Sequence, residues 1–331
     1  MQAVVLAGGL GTRLRPITYT RPKPLVPIVN RPLVLRVLDI LPPVVDEVFI
    51  ATGYMGDRLC AFFKDRRTGP KVEVVVEDRP LGTGGALKNL EDRIKGTFIV
   101  VNGDVICSLD LERMLAFHRK RGALGTISLW EMDDPTPYGM VVADERGRIV
   151  RFLEKPRPEE AVSRAVNAGT YILEPQILGC MRPGKEASIE KEVFPNVLDR
   201  GLFGFGFKGY WYDAGTLGSY LAIHSALMRL EGGAIKGNGL KAGESAVWRQ
   251  PYGTGKDCVI GEGTTMGPDV CIGNGVTIGI GSALSDCVLH DGVNVGDRAI
   301  LERCIIGENA TIRDGARVPP GTIIGDGGVV E

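Results

Sequence analysis

Short runs of Val and Ile alternate with longer apolar segments of helical spacing over the first 120 or so residues of the chain. The strand-like runs cover residues 3–6, 47–51, 72–76 and 98–101, and the helical segments include residues 33–41 and 111–118. This alternation predicts βαβ units around a mostly parallel sheet. Because the runs are continuously apolar, both faces of the sheet are expected to be buried, with ligands at its carboxyl edge.

The pattern changes after residue 125. Shorter runs at residues 126–149 are separated by the turn signals DDPTPYG and DERGR, which predict antiparallel additions to the sheet. A helical segment at residues 217–230 is expected to close a first domain at residues 1–231. Glycine then rises in EGGAIKGNGLKAGES, which predicts a linker at residues 232–256.

The last part of the chain repeats every six residues. An aliphatic residue recurs at this spacing in two runs, with an irregular stretch between them, and residues 257–331 are therefore predicted to form a parallel β-helix of hexapeptide repeats. A glycine-rich loop with chance spacing is the alternative, and two separate runs weigh against it. The repeated inward-facing residues are Ile260, Met266, Ile272, Ile278, Leu284, Ile306, Ile312, Val318 and Ile324.

Composition narrows the classes of function. The 39 Lys and Arg balance 40 Asp and Glu, which gives no support to nucleic acid or a membrane surface as partner, so any anion site must be local. The seven cysteines never occur as CxxC, which argues against a zinc site or a disulfide framework. No leader-like segment and no apolar run of about 18 residues is present. We expect a cytoplasmic protein.

The stretch AGGLGTRLRP follows the first predicted strand directly. Its glycines allow a tight turn close to a ligand, and a helix expected to start near residues 12–14 would offer free amides to an anion. The stretch lacks the Lys of a Walker loop and the last glycine of GxGxxG. Three cations, Arg13, Arg15 and Lys23, are close in sequence to the turn. This combination predicts binding of a nucleotide polyphosphate.

Eight motifs in order, AGGLGTRLRP, RPKPLVP, PLGTGGAL, VNGDV, YGMVV, FLEKP, NAGTYIL and WYDAGT, resemble those of the sugar-1-phosphate nucleotidyltransferases. The resemblance implies an α/β fold, in which a Rossmann-like nucleotidyltransferase domain precedes a left-handed parallel β-helix. It implies Mg²⁺-dependent transfer from an NTP to a sugar 1-phosphate. A phosphate monoester is already anionic and needs no general base. His118, His224 and His290 accordingly lie outside the motifs.

The resemblance also implies residue roles. Asp104 and Asp213 would be the Mg²⁺ ligands, although alone they would be taken for a turn aspartate and a buried salt bridge. Together with Arg13 and Lys23 they form the predicted catalytic set. The predicted nucleotide-binding residues are Leu6, Gly8, Gly9, Gly11, Thr12, Arg13, Glu77, Pro80, Gly82 and Thr83. The predicted sugar-phosphate-binding residues are Tyr138, Gly139, Glu154, Lys155, Asn167 and Gly169.

Glu77 stands where thymidylyl- and uridylyltransferases of the family usually have glutamine. A carboxylate only accepts hydrogen bonds, which matches the adjacent N1–H and amino donors of guanine and favours GTP. Glu77 could instead be a rim carboxylate in water. SIEKEVFP at residues 188–195 resembles the family members that use mannose 1-phosphate. The alternatives are a glucose-1-phosphate thymidylyl- or uridylyltransferase and a catalytically silent subunit that senses sugar nucleotides.

The predicted β-helix is expected to pack and self-associate, which would make the protein a homo-oligomer. A rival hypothesis is an acyltransferase with His290 as its base, since hexapeptide prisms often have that activity. His290 is more simply interpreted as a solvent or interface residue.

Overall fold

The structure, a computed structural model, describes residues 1–331. The chain divides into two compact units, each made of two segments. The first unit comprises Met1–Gly9 and Val37–Trp211, and the second comprises Leu10–Arg36 and Tyr212–Glu331. The glycine turn therefore marks the point at which the chain passes from one unit to the other.

The secondary structure contains five α-helices and 28 strands. The helices are α1 (Leu33–Leu38), α2 (Gly56–Phe63), α3 (Gly82–Lys88), α4 (Leu111–Arg121) and α5 (Leu217–Leu230). The strands before α5 are β1 (Gln2–Leu6), β2 (Pro27–Ile28), β3 (Arg31–Pro32), β4 (Glu47–Thr52), β5 (Lys71–Val76), β6 (Phe98–Asn102), β7 (Val105–Cys107), β8 (Gly125–Glu131), β9 (Gly139–Ala143), β10 (Ile149–Glu154), β11 (Ala165–Leu173), β12 (Leu202–Gly206) and β13 (Trp211–Asp213). The strands after α5 are β14 (Ala234–Ile235), β15 (Lys241–Ala242), β16 (Val247–Trp248), β17 (Tyr252–Thr254), β18 (Val259–Ile260), β19 (Thr265–Met266), β20 (Val270–Ile272), β21 (Thr277–Ile278), β22 (Ala283–Leu289), β23 (Asn294–Val295), β24 (Ile300–Ile306), β25 (Thr311–Ile312), β26 (Arg317–Val318), β27 (Ile323–Ile324) and β28 (Val329–Val330).

The first unit is built on a nine-stranded sheet with the central order β10-β9-β11-β6-β1-β4-β5. Strands β6, β1, β4 and β5 run parallel, whereas β11 lies antiparallel to β6 and β8, and β9 antiparallel to β10. The predicted mixture of a parallel centre with antiparallel additions is confirmed. Because β1, β4, β5 and β6 are parallel, the residues that follow them lie at one edge of the sheet.

Burial explains why the central strands are continuously apolar. Ala3 to Val5 in β1 and Phe98 to Val101 in β6 have no solvent exposure. Side chains on both faces of these strands are therefore covered, as expected for a parallel sheet. Because the strands themselves are covered, a ligand can reach only the polar groups that follow them at the carboxyl edge of the sheet.

Much of the second unit is a parallel prism, which confirms the predicted β-helix. Its short strands stack in parallel on three faces, and the six strands β15, β18, β21, β23, β25 and β28 make up one of them. The partner residues Lys241, Val259 and Thr277 are spaced by 18 residues, three hexapeptides per coil. The repeated aliphatic residues from Ile260 to Val318 are at most 3% exposed. Their inward packing is what the six-residue spacing predicts.

Residues 232–256 do not form the predicted linker. Strand β14 pairs with β17, β15 with β18 and β16 with β19, all in parallel, so this segment supplies the first coil of the prism. The glycines that suggest a linker lie in the corners between very short strands. The six-residue spacing breaks where a coil has 17 residues instead of 18. Leu284 pairs with Leu301, and Leu301 with Val318, at this shorter interval.

The prism corners combine glycine with aspartate. A Cβ atom on Gly279 would lie 2.5 Å from the carbonyl carbon of Gly296 in the next coil, so no side chain fits there. One carboxylate oxygen of Asp297 accepts the N–H of Ile280 at 2.8 Å, and Asp314 likewise accepts the N–H of Asp297 at 2.9 Å. Corner carboxylates thus satisfy the backbone donors of the preceding coil.

All seven cysteines are free thiols. None of the five helices combines the length and the apolar character that crossing a membrane requires.

Candidate active site

A cavity of about 340 Å³ opens at the carboxyl edge of the sheet in the first unit. It contains seven of the residues predicted to bind nucleotide and the predicted metal ligand Asp104. The residues that line it are Leu6, Ala7, Gly8, Gly9, Ala51, Glu77, Pro80, Leu81, Gly82, Thr83, Ala86, Asn102, Asp104 and Glu186. Residues far apart in sequence, from four successive strand ends, therefore share one cavity.

The glycine turn leaves the cavity open. A Cβ atom on Gly9 would have no neighbour within 4 Å, and one on Gly8 would meet only a Glu77 carboxylate oxygen at 3.9 Å. The backbone can therefore be approached closely by a ligand. The α-helix predicted to start near residues 12–14 is wrong: Thr12–Leu14 is a single 3₁₀ turn, which ends because Arg15 is extended. It is too short to supply the N-terminal amides of a full helix.

Glu77 lies on the cavity wall. Its backbone N–H donates to the Thr52 carbonyl at 2.7 Å, which continues the ladder past β5. One of its carboxylate oxygens accepts the Leu81 N–H at 3.3 Å, just before α3. The side chain is half-buried, and burial raises the pKa of Glu77. This carboxylate is thus oriented by the backbone and lines the cavity.

The PLGTGG segment lines the cavity and also makes hydrogen bonds to residues 187–190. The N–H groups of Gly84 and Gly85 donate to the Ala187 carbonyl at 2.8 and 3.2 Å. The Thr83 hydroxyl donates to Glu190 at 2.6 Å and accepts the Ile189 N–H at 3.0 Å. These contacts fasten the start of α3 to residues 187–190, so Thr83 lines the cavity while its hydroxyl is held by Glu190.

Asp104 lies in the tight turn between β6 and β7. The Gly103 N–H donates to the Leu6 carbonyl at 2.8 Å, and a Cβ atom on Gly103 would lie 2.9 Å from that same oxygen. The NGD sequence therefore brings the carboxylate to the end of a buried strand. Asn102, just before it, was not predicted as a site residue. Its buried Oδ1 has no hydrogen-bond partner and belongs to a residue that lines the cavity.

In the second unit, Asp213 lies between the two predicted cations. The Lys23 Nζ is 3.7 Å from one carboxylate oxygen, and the Arg13 guanidinium is 3.8 Å from the other. Lys23 is buried, with a side chain 10% exposed, whereas the Arg13 side chain is 63% exposed. A Cβ atom on Gly215 would lie 2.4 Å from the Arg13 guanidinium, so the glycine of DAGT allows this approach. Three predicted catalytic residues therefore share one cluster.

The predicted sugar-phosphate residues lie at two neighbouring places in the first unit. Glu154 pairs with Gly139 across β10 and β9, and a Cβ atom on Gly139 would lie 2.7 Å from the Glu154 carboxylate. Lys155 has a left-handed backbone with φ of 52°, an unusual conformation for a lysine, and its N–H donates to the Tyr138 carbonyl at 3.0 Å. The Tyr138 ring meets the Trp211 ring edge-on at 5.1 Å.

Asn167 and Gly169 form the second place, in a bulge of β11. The Asn167 Oδ1 accepts the Gly169 N–H at 2.9 Å, and its amide donates to the Tyr171 hydroxyl at 2.9 Å. Gly169 has φ of 76°, and a Cβ atom there would lie 2.6 Å from the Asn102 amide. Asn167 therefore shapes the bulge with both ends of its side chain.

Glu190 contacts both Thr83 of the cavity wall and Tyr171, which is hydrogen-bonded to Asn167. The sequence analysis does not identify Glu190 as a site residue. Its carboxylate accepts hydrogen bonds from Thr83 at 2.6 Å, Ser188 at 2.8 Å and Tyr171 at 3.2 Å. Burial and the Glu190 charge raise the pKa of Glu154. The signal was present in SIEKEVFP, a motif that was recognised without a role for any one residue.

The three histidines lie away from these groups. His118 contacts Thr126 at 2.8 Å and Glu174 at 3.1 Å in the first unit. His290 is 2% exposed and lies 3.2 Å from the Tyr220 hydroxyl, so the expectation of a solvent or interface residue is wrong. A group so deeply buried also lacks the access that a base for acyl transfer requires.

No group of three or more His, Cys, Asp and Glu side chains is arranged to hold a metal ion. Mg²⁺ usually takes one or two protein carboxylates and completes its octahedron with water and phosphate oxygens, so it does not require a larger cluster. Asp104 and Asp213 offer the hard oxygen donors that this ion prefers.

The first unit has a mixed sheet with a cavity at the carboxyl edge of its parallel strands, and the second unit contains a prism of hexapeptide coils. The family model described as "Nucleotidyl transferase" matches residues 2–229, and the chain belongs to that family. A second model, "GMPPB C-terminal domain", matches residues 249–331. The predicted family and the predicted nucleotidyltransferase activity are confirmed.

Curated relatives match nearly the whole chain. Mannose-1-phosphate guanylyltransferase 1 of Arabidopsis thaliana is 36% identical over 98% of this chain and 91% of its own length. Mannose-1-phosphate guanylyltransferase of Mycobacterium tuberculosis is 34% identical over 99% of this chain and 97% of its own length.

Solved structures match about two thirds of the chain. HddC from Yersinia pseudotuberculosis, complexed with GMP-PN, is 31% identical with a TM-score of 0.58, over 68% of this chain and 99% of its own. A UDP-glucose pyrophosphorylase complexed with UDP-glucose is 26% identical with a TM-score of 0.62, over 69% of this chain and 98% of its own.

Proposed function

We propose that this enzyme transfers a guanylyl group from GTP to mannose 1-phosphate and releases pyrophosphate, with Mg²⁺ as cofactor. The observation that carries the proposal is the single cavity shared by the Gly8–Gly9 turn, Glu77 and Asp104. The relatives named as mannose-1-phosphate guanylyltransferases support the choice of both substrates.

Glu77 is proposed to select the base. Guanine presents N1–H and an amino group side by side, and an ionised carboxylate can accept from both. Uracil and thymine present a donor between two acceptors, for which a carboxylate has no matching donor. The position of Glu77 on the cavity wall supports this role, because the Leu81 N–H holds one of its oxygens.

Arg13 and Lys23 are proposed to bind the triphosphate and the departing pyrophosphate. The attacking oxygen of the sugar phosphate is already ionised near neutral pH, so the main barrier is the repulsion between two anions. Cations placed before the reaction lower that barrier because they need no reorganisation. Gly11 and Thr12 belong to the same turn, and Thr18 steadies it through a 2.8 Å hydrogen bond to the Gly11 carbonyl.

Asp104 and Asp213 are proposed as the protein ligands of Mg²⁺. A bound Mg²⁺ would neutralise phosphate charge and orient the triphosphate for in-line attack. Asp213 already lies close to Lys23 and Arg13, so its charge also sets where these cations rest before substrate binds.

The sugar phosphate is proposed to bind at the places formed by β9, β10 and β11. Lys155 would hold the phosphate, and Glu154 would accept hydrogen bonds from sugar hydroxyls, beside Tyr138 and Gly139. Asn167 and Gly169 would shape the floor of that pocket through the bulge that they form.

We further propose that the protein works in the cytoplasm as a homo-oligomer associated through its prism. Apolar side chains on the prism remain exposed in the single chain, which supports self-association. They are Val247, Val259, Ile280 and Val329.

A matrix of five nucleoside triphosphates against mannose, glucose and N-acetylglucosamine 1-phosphates tests the proposal, with pyrophosphate release as the readout. We expect the fastest release with GTP and mannose 1-phosphate. Preference for UTP or dTTP with glucose 1-phosphate would instead favour the related activity suggested by the UDP-glucose pyrophosphorylase fold match. Binding of sugar nucleotide without any turnover would favour a silent regulatory subunit.

A further inference from the structure

The segment that carries Arg13 and Lys23 is fastened to the C-terminal coils of the prism by Arg21. The guanidinium donates to Glu308 at 2.5 Å and to Asp326 at 2.7 Å, and its side chain is only 17% exposed. The Thr20 hydroxyl donates to the same Asp326 oxygen at 2.5 Å. We call this group of four residues the clasp. All four belong to the second unit, although Thr20 and Arg21 are 287 to 306 positions before Glu308 and Asp326 in sequence.

The acidic side of the clasp is itself held in place. The second oxygen of Asp326 accepts the Glu308 N–H at 2.7 Å, which ties two successive coils together. Burial alone would raise the pKa of Asp326, but hydrogen bonds from Thr20 and Arg21 lower it below its ordinary value. The carboxylate therefore stays charged at neutral pH, and the charge-assisted bonds persist.

Arg21 of the clasp lies two residues before Lys23 in sequence, and the residue between them is a proline. Pro22 has φ of −68° and ψ of 146°, and the 3₁₀ turn Lys23–Leu25 begins directly after it. Proline has little freedom in φ, so Pro22 removes one of the backbone rotations that could absorb a displacement of Arg21 before it reaches Lys23. On the other side of Lys23, Tyr220 of α5 donates to the Pro27 carbonyl, and Asn30 donates to the Ile272 carbonyl at 2.8 Å.

We propose that Arg21, held by Asp326 and Glu308, is a positioning residue for Lys23, so that the last coils of the prism set the reactivity of the triphosphate-binding segment. The inference rests on the proposed role of Lys23. It assigns the prism a part in catalysis in addition to packing and self-association.

The chain offers a matched control. Arg36 and Glu231 form another ion pair within the second unit, at 3.2 Å, with the arginine again 17% exposed. This pair lies at the other end of the same segment, 13 positions after Lys23. Glu231→Gln therefore removes a comparable charge contact without touching the clasp.

The test compares Asp326→Asn, Glu308→Gln and Glu231→Gln with the unchanged full-length protein. The first readout is the rate at which a small amine-reactive acetylating reagent modifies Lys23, measured by mass spectrometry. The second is pyrophosphate release with GTP, mannose 1-phosphate and Mg²⁺. We expect Asp326→Asn to raise Lys23 modification severalfold and to lower kcat/KM for the triphosphate about 10- to 100-fold, because small misplacements have effects of that size. KM for the sugar phosphate should not change.

Glu231→Gln should leave both readouts as in the unchanged protein, and Glu308→Gln should give a smaller effect in the direction of Asp326→Asn. Equal Lys23 modification in all proteins would overturn the positioning role, even if turnover fell. Faster modification with unchanged turnover would overturn the catalytic role of Lys23 while leaving the clasp intact. If Asp326→Asn fails to fold, Glu308→Gln decides the question by the same two readouts.

Discussion

The cavity at the sheet edge and the corners of the prism both have glycine beside strands, with opposite consequences. A Cβ atom on Gly9 would meet nothing within 4 Å, whereas one on Gly279 would lie 2.5 Å from the backbone of the next coil. In the cavity, the absence of a side chain leaves space for a ligand. In the prism, it lets two backbones come into contact.

We expect glycines that leave space for a ligand to affect turnover, and glycines that allow backbone contact to affect stability. The prism is regular and closely packed, so a change there should alter stability first. The cavity is open to a ligand, and the Lys23–Asp213 cluster holds oppositely charged groups close together, so a change at either place should alter turnover first. The clasp is the exception, because it is a packing feature with a proposed effect on chemistry. Predictions that separate stability from turnover therefore test the comparison.

The largest expected effect is on turnover without loss of stability. Asp104→Asn and Asp213→Asn should each lower kcat about a thousandfold, because loss of a metal ligand removes several kcal/mol of charge stabilisation. Pyrophosphate release at saturating Mg²⁺ measures this effect, and thermal unfolding checks the fold. Asp110→Asn is the control, since Asp110 caps α4 by accepting the Arg113 N–H. Turnover within a fewfold of the original enzyme in either variant would remove the metal assignment.

The second effect is on stability alone and depends on pH. Burial lowers the pKa of His224 from 6.5 to about 3 and that of His290 to about 4. His224 also faces the charges of His290 and Arg36, and His290 those of Arg21, Asp326 and Asp291. The unfolded chain binds a proton at each site below pH 6.5 while the folded chain does not, so stability is full above 6.5 and falls as pH drops toward the folded pKa.

Urea unfolding of His224→Gln at a series of pH values measures this effect. Between pH 6.5 and 4.5 the original protein should lose about 2 kcal/mol more stability than the variant, because the slope reaches roughly 1.4 kcal/mol per pH unit for one histidine only well below pH 6.5. Parallel pH profiles for the two proteins would show that His224 titrates normally in the folded state.

The third effect compares the two glycines directly. Gly279→Ala should reduce the free energy of unfolding by about 2 kcal/mol, because the added methyl overpacks the coil contact. Gly9→Ala should leave stability within about 0.5 kcal/mol. It should nonetheless raise KM for the triphosphate, since its methyl group enters the cavity. A Gly9→Ala protein that unfolds as readily as Gly279→Ala would contradict the comparison.

The smallest effect concerns base selection. Glu77→Gln should shift the preference between GTP and UTP by about tenfold toward UTP, because a hydrogen bond to a charged group is replaced by a neutral one. Asp78→Asn is the control, since Asp78 is exposed and does not line the cavity. An unchanged ratio of kcat/KM values in Glu77→Gln would exclude this residue from base selection.

The regular parts of the molecule could be predicted well because their patterns are repeated. Ile260 and Ile278 are inward-facing for the same steric reason, and β1 and β6 are apolar because both faces are covered. The linker prediction failed because glycines at prism corners have the same composition as glycines in a flexible segment. Spacing distinguishes them only if the first, very short strands are recognised.

The irregular parts were predictable only through motifs. Asp104, Glu77 and the glycine turn were found because they belong to recognised sequences. Glu190 was missed because two of the three hydrogen bonds that define its role come from Thr83 and Tyr171, which are 107 and 19 positions away, and no local pattern records them. Asn102 was missed although it lies in the VNGDV motif, because its position on the cavity wall follows from the sheet rather than from the motif. The clasp depends on a pairing across about 300 residues that no spacing rule predicts.

The most direct test of the central claim follows labelled pyrophosphate into GTP. If the sugar phosphate attacks the triphosphate itself, exchange requires the sugar nucleotide, because only its pyrophosphorolysis regenerates GTP. We predict incorporation of label in the presence of GDP-mannose and Mg²⁺, and none when the enzyme is incubated with GTP and pyrophosphate alone. Incorporation without any sugar nucleotide would indicate a nucleotidyl group carried on the protein and would contradict the account.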